Sequence, residues 1–180
     1  MLVETTPLEG VLLIKPSLYT DVRGFFMETW QLERYASLGL PRVWMQDNYS
    51  RSIRGTIRGL HYQYRHPQAK LVTVTAGKVF DVVVDLRQHS STLGKWWGIE
   101  LSDDNHWQLY VPPGFAHGFC VLSEHADFFY KCSALYDPQD EYTLLWCDTQ
   151  VGIVWPSIEP RLISAKDQQG RAWGNLPLFD

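Results

Sequence analysis

Apolar side chains recur at every second position along most of this chain, in short runs with Gly or Pro between them. A period of two puts alternate side chains on one face of a β-strand, and many short runs of this kind fold as sandwiches or barrels. The candidate strands are Val11 to Lys15, Val43 to Arg51, Thr56 to Gln63, Lys70 to Ala76 and Lys78 to Arg87, followed by Trp96 to Ser102, Trp107 to Val111, Phe115 to Leu122 and Ala126 to Leu135. One helix is expected from Trp30 to Leu38, where Leu32, Tyr35, Ala36 and Leu38 approximate one face before Gly39 and Pro41 stop it. The tail after Trp155-Pro156 is polar and Pro-spaced and reads as loop with a short helix. An aromatic content of 14% suits strands and stacking surfaces better than a helical bundle. With 180 residues, no long recurring period and no Ser/Pro/Gly linker, residues 1–180 are expected to form one domain, mainly all-β.

Charge and composition then exclude several function classes. Sixteen Lys and Arg against twenty Asp and Glu give a net charge of −4, so the whole-molecule field does not gather a polyanion and no nucleic-acid partner is expected. No apolar run approaches the ~20 residues that span a bilayer, so no membrane partner is expected either. The opening Met-Leu-Val-Glu-Thr-Thr has no basic segment leading into an apolar one, which predicts a cytoplasmic protein. Cys120, Cys132 and Cys147 are odd in number, include no Cys-x-x-Cys pair and lie in apolar or aromatic segments, which predicts reduced, buried thiols.

An anionic ligand would therefore have to be caught locally. Arg51, Arg54 and Arg58 crowd one Gly-punctuated stretch and Lys70 follows, although a solvated charged face has the same composition. From Lys78 to Arg87 one face of the strand, Phe80, Val82, Val84 and Leu86, is wholly apolar, while the other alternates Val79 and Val83 with Asp81 and Asp85. A buried carboxylate requires a partner, so the second face is expected to look into a polar cavity, with Lys70 as the cation for Asp81. His117 faces the same way as Phe119 and Val121, which alone fits a core histidine. The Pro-x-Gly-x-x-His spacing from Pro112 to His117 also resembles that of cupins, double-stranded β-helix folds in which the His lies inside the barrel. The His-x-His partner motif of metal cupins is missing, and His61 and His66 do not supply it, so a metal-free cavity is expected.

Arg58-Gly59-Leu60-His61-Tyr62-Gln63 is the densest polar stretch within a strand. In a regular strand Arg58 and His61 face opposite sides, so they share a cavity only if the chain bulges, and Gly59 is the residue that permits a bulge. Asp21-Val22-Arg23-Gly24-Phe25-Phe26-Met27-Glu28 sets opposite charges around a Gly-aromatic turn, and Gln46-Asp47-Asn48 sets three hydrogen-bonding side chains in a row.

Together these segments resemble the dTDP-4-dehydrorhamnose 3,5-epimerase family of nucleotide-sugar cupins. The resemblance is carried by Asp21 to Glu28, Gln46 to Arg51, Arg58 to Gln63, Lys70-Leu71-Val72, Val79 to Arg87, Pro113 to Phe119 and Tyr130-Lys131-Cys132, in order along nearly the whole chain. Departures are local: Cys147 and Thr149 stand where the family has Asn and Pro in a Trp-Asn-Asp-Pro segment, and Tyr142 follows Glu141 where Arg is common.

The resemblance implies a jelly-roll barrel with a few short helices. It implies an isomerase that epimerises C3 and C5 of dTDP-4-keto-6-deoxyglucose to give dTDP-4-keto-L-rhamnose. It assigns the base to His61, oriented by Asp167, and the acid on the opposite face of the sugar to Tyr130. Lys70, supported by Asp81, is assigned to the enolate oxygen at C4, and no cofactor is implied because the ketone is the electron sink. Arg23, Arg58 and Lys166 are implied for phosphate or sugar, Glu28 with Gln46, Asp47 and Asn48 for the nucleotide end, and His117 and Glu141 for further ligand contacts. A homodimer is implied, with Arg23 and Glu28 acting across its interface. The alternatives are an epimerase acting at C3 only or C5 only of another keto-deoxysugar, a non-catalytic sugar-nucleotide-binding cupin, and a metal-dependent cupin oxygenase.

Overall fold

The computed structural model describes residues 1–180. Its fourteen strands, numbered in chain order, are β1 (Leu2–Thr5), β2 (Leu12–Lys15), β3 (Leu18–Asp21), β4 (Gly24–Met27), β5 (Gln46–Ile53), β6 (Thr56–Gln63), β7 (Lys70–Ala76), β8 (Lys78–Asp85), β9 (Trp96–Ser102), β10 (Gln108–Val111), β11 (Phe115–Val121), β12 (His125–Cys132), β13 (Glu141–Thr143) and β14 (Leu162–Ile163). The helices are short: α1 (Leu32–Ala36), α2 (Ala165–Gln168) and a 3-10 turn at Trp173–Asn175. One sheet runs β1-β2-β10-β7-β12-β5 and the other β13-β6-β11-β8-β9, with β14 beside β6, while β3 and β4 form a separate hairpin. Only the β14–β6 pairing between named strands is parallel. The many short strands expected from the alternation are present, and their arrangement is the jelly roll that the family resemblance implies.

Alternation along the strands builds three apolar layers. Between the sheets, Val72, Val74 and Leu109 of the first meet Val83, Phe115 and Val121 of the second. The opposite faces of β8 and β11, with Val82, Val84, Ala116 and Cys120, are covered by the C-terminal segment through Leu144, Trp155, Ile158 and Leu176. On the outside of the first sheet, Ile14, Leu71 and Tyr110 pack against Tyr35 and Leu40. The Tyr35 hydroxyl keeps its burial tolerable by donating to Gln108 Oε1 at 2.8 Å.

Several sequence expectations shift at their edges. The strand expected from Val43 begins at Gln46, and Val43 and Met45 stay exposed, so their apolar character reflects no core face. The run expected to reach Leu135 ends at Cys132. The helix covers only Leu32–Ala36, and of its expected apolar face Tyr35 alone is buried. The second face of β8 is less polar than expected: Val79 and Val83 join the core, and Asp85 sits at the strand end, bonded to Arg87, Ser90 and Thr92. Cys120 and Cys132 are buried as expected, but Cys147 is exposed, in the turn that follows Trp146. β1, β13 and β14 have four residues or fewer, too few for a period to show. No helix is long and apolar enough to cross a membrane.

Candidate active site

The space between the sheets is filled along part of its length and open along the rest. On β7, Val72 and Val74 pack in the core while Lys70 lines a cavity; on β12, Ala126 packs in the core while Tyr130 and Cys132 line it. The cavity is about 330 Å³, within the size class of small-molecule sites. Its lining includes Gln46, Asn48, Arg58, His61, Lys70, His117, Tyr130 and Glu141, all singled out from the sequence.

Arg58 and His61 reach the same cavity because β6 bulges. His117 pairs with His61 and Phe119 with Arg58, so β6 spends three steps where β11 spends two. Gly59 takes φ +118, and a Cβ there would stand 2.6 Å from Gly118 Cα, a space only glycine can occupy. The Gly59–Leu60 peptide is cis.

His61 is held as a base requires. Its Nε2 lies 2.6 Å from Asp167 Oδ1, and the second Asp167 oxygen accepts from the Gly59 amide at 3.3 Å. The sequence folds α2 to present that carboxylate: Ser164 caps the helix and its Oγ accepts from the Asp167 amide. Burial pushes the Asp167 carboxyl up, but hydrogen bonding and attraction from His61, with the Gly59 amide and Ser164, outweigh it and hold it below the ordinary value. An ionised carboxylate only accepts, so Nε2 is the donor, and in the neutral imidazole this leaves the lone pair on Nδ1. Glu141 Oε1 lies 3.9 Å from that Nδ1.

Opposite β6 stands β12. Burial first, then the electrostatic effect of Cys132 and Glu141, pushes the Tyr130 hydroxyl up to about 12, against a smaller opposing effect of Arg58. A phenol so placed is protonated at neutral pH. Between the two walls Lys70 Nζ donates to the His61 carbonyl at 3.4 Å. Burial pulls the Lys70 ammonium below its ordinary value, and Cys132, Glu141 and Asp81 counteract it.

Asp81 does not take Lys70 as its direct partner, as the sequence suggested. Both its oxygens meet His117 Nε2, at 2.9 and 3.0 Å, because Asp81 and His117 sit near one another on adjacent strands β8 and β11. Burial pushes the Asp81 carboxyl up, while His117 and then Lys70 pull it back, so Lys70 acts on it only through space.

At the mouth, Glu141 takes the Lys166 ammonium and the Tyr136 hydroxyl, the latter at 3.0 Å. Gln46 donates to Asn48 at 2.9 Å, and Arg58 Nε donates to Ser52 Oγ at 2.8 Å. Asp47 is not brought into the cavity: between Gln46 and Asn48 the strand alternates, and Asp47 points outward to pair with Lys131. Arg23 and Glu28 also stand apart from it, paired with Asp21 and Arg34. Their segment is the β3–β4 hairpin and its exit, which exposes Tyr19, Val22, Phe25 and Phe26.

Some lining residues escaped the sequence reading. Ser50, Phe128 and Cys132 follow by period two from Asn48 and Tyr130, so strand alternation could have found them. Tyr136 and Gln68 lie in irregular loops with no periodic signal. No group of three or more His, Cys, Asp or Glu side chains is placed to hold a metal ion.

The family model described as dTDP-4-dehydrorhamnose 3,5-epimerase matches residues 5–175. A dTDP-4-dehydrorhamnose 3,5-epimerase of Methanothermobacter thermautotrophicus is 44% identical over 97% of this chain and 95% of its own length. One of Neisseria gonorrhoeae is 48% identical over 93% of this chain, which spans only 51% of that relative's length. The crystal structure of a dTDP-6-deoxy-D-glucose-3,5-epimerase from Legionella pneumophila Philadelphia 1, in complex with dTDP-4-keto-L-rhamnose, superposes with a TM-score of 0.94. It shares 45% identity with this chain over 97% of it and 94% of the other. The bulged strand carrying Arg58 and His61, the jelly roll around it and these likenesses agree: the chain belongs to the dTDP-4-dehydrorhamnose 3,5-epimerase family of cupin-fold isomerases.

Proposed function

We propose that the chain epimerises dTDP-4-keto-6-deoxyglucose at C3 and C5 to dTDP-4-keto-L-rhamnose. One observation carries this reading: a His–carboxylate pair and a protonated phenol face one cavity from opposite sheets, and a half-buried lysine lines the same cavity. Inversion needs this arrangement, because a proton removed and returned on one face restores the starting configuration. The C4 ketone acidifies the C–H bonds at C3 and C5. His61 Nδ1 takes a proton, the C–H electron pair moves into the ring as an enolate, and the charge gathers on the C4 oxygen. Asp167 steadies the imidazolium that results. Lys70 supplies the positive field at the enolate oxygen, and such stabilisation is commonly worth about 3 kcal/mol per donor. Tyr130 then delivers its proton to the other face of the carbon, and solvent at the open mouth restores both groups. The second carbon repeats the sequence.

Arg58, His117 and Gln46 with Asn48 hold the ligand along the cavity, while Glu141 and Lys166 hold it at the mouth. The protein is read as a cytoplasmic homodimer in which Arg23 and Glu28 reach the neighbouring subunit's site. The exposed aromatic hairpin supports this, since a monomer gains nothing by presenting Phe25 and Phe26 to water. Mixing a His61→Ala chain with an Arg23→Ala/Glu28→Ala chain is expected to regenerate one complete site per mixed dimer. Roughly a quarter of the wild-type rate should return after random exchange of subunits. No recovery, with mixed dimers present, would place those two residues in their own subunit's site.

The reading as a whole is tested by trapping the product by borohydride reduction and determining its configuration. Inversion at both carbons is expected; inversion at C3 alone or C5 alone would make this a mono-epimerase.

A further inference from the structure

We infer that Phe119 and Phe128 form the seat of the sugar's C6 methyl group and so select 6-deoxy over 6-hydroxy keto sugars. The inference rests on the epimerase reading above. Of the side chains that line the cavity, only these two contain no nitrogen, oxygen or sulfur. They come from strands in opposite sheets, β11 and β12, and meet with ring centroids 4.1 Å apart and planes 17° apart. Stacking covers their facing sides and little of either ring is open, Phe119 being 5% and Phe128 1% exposed, so they border the cavity as one narrow apolar edge inside an otherwise polar space. That edge is flanked by the proton donor and a ligand-holding side chain: from Phe128, the Tyr130 ring is 5.8 Å away and the His117 ring 6.1 Å away.

A 4-keto-6-deoxyhexose carries an exocyclic oxygen on every ring carbon except C5, whose carbon substituent is the methyl group. The sugar has one apolar substituent and the cavity has one side-chain edge free of polar atoms. Their positions agree as well, because C5 is a reacting carbon and its methyl group lies a single bond from the atom that must meet Tyr130. Phe128 precedes Tyr130 by two residues on the same strand and the same face, so the edge begins beside the phenol. A hydroxyl on C6 would press against two rings that offer it no hydrogen bond.

An apolar pocket rejects a ligand that adds a hydroxyl by about 10²-fold, which sets the expected size of the effect. The test compares kcat/KM for dTDP-4-keto-6-deoxyglucose and dTDP-4-ketoglucose, following solvent exchange at C3, a position both sugars share. Wild-type protein is expected to prefer the 6-deoxy sugar by about 10²-fold. Phe119→Tyr and Phe128→Tyr each place a hydroxyl on the edge, and at least one is expected to cut that preference roughly tenfold, a change of substrate ratio that general loss of stability does not produce. Wild-type rates within about threefold of each other, or unchanged preference in both folded variants, would overturn the methyl seat. If neither variant folds, the wild-type ratio decides. Exchange with neither sugar would overturn the epimerase reading, and the seat with it.

Discussion

His61→Ala is expected to abolish solvent exchange at both C3 and C5 while the protein stays folded. One imidazole serves both carbons, so the two exchanges fall together, each by ~10² to 10⁴-fold, the usual weight of a general base. The fold should survive because the ring lines the cavity rather than filling the core, with 26% of its side chain exposed. Asp167 loses its strongest partner but keeps the Gly59 amide and its place on α2, so a modest fall in thermal midpoint is expected, without unfolding. Circular dichroism and proton NMR on one sample decide the matter. Substantial exchange at either carbon in a folded variant would remove His61 from the role of base.

Tyr130→Phe is expected to separate proton removal from inversion. Only the hydroxyl is lost; the ring keeps its place beside Phe128, so packing changes little. His61 still strips protons and returns solvent deuterons from its own side, and exchange with retained configuration continues. Product with inverted configuration should fall by about 10²-fold or more, because no other group is assigned to deliver a proton from β12. A residue serving only as a core aromatic would leave turnover normal, so wild-type inversion in this variant would reject Tyr130 as the acid.

Much of this was legible in the sequence because strands write their faces at a period of two. The order of β6 to β12, the inward set of Gln46 and Asn48, and the demand for a bulge at Gly59 all follow from alternation and from what glycine permits. The same rule, applied strictly, places Asp47 outside, although a motif-level reading had grouped it with its neighbours. What the sequence did not carry was pairing across strands. Asp81 meets His117 rather than Lys70 because β8 lies between β9 and β11 in the second sheet, and nothing local to residues 78–87 encodes that order. Tyr136 reaches Glu141 from an irregular loop, where no period exists to announce it. The bond between His61 and Asp167 spans more than a hundred residues and entered only through family resemblance, since Lys166-Asp167 alone has the look of a surface pair.

The central claim is that one cavity removes and returns protons at both carbons beside the ketone. Proton NMR of wild-type protein with dTDP-4-keto-6-deoxyglucose in D2O tests it most directly. The account predicts that the C3 and C5 proton signals both disappear and that the product signals are those of the L-configured sugar. Loss at a single carbon, or persistence of both signals with folded protein, would contradict it.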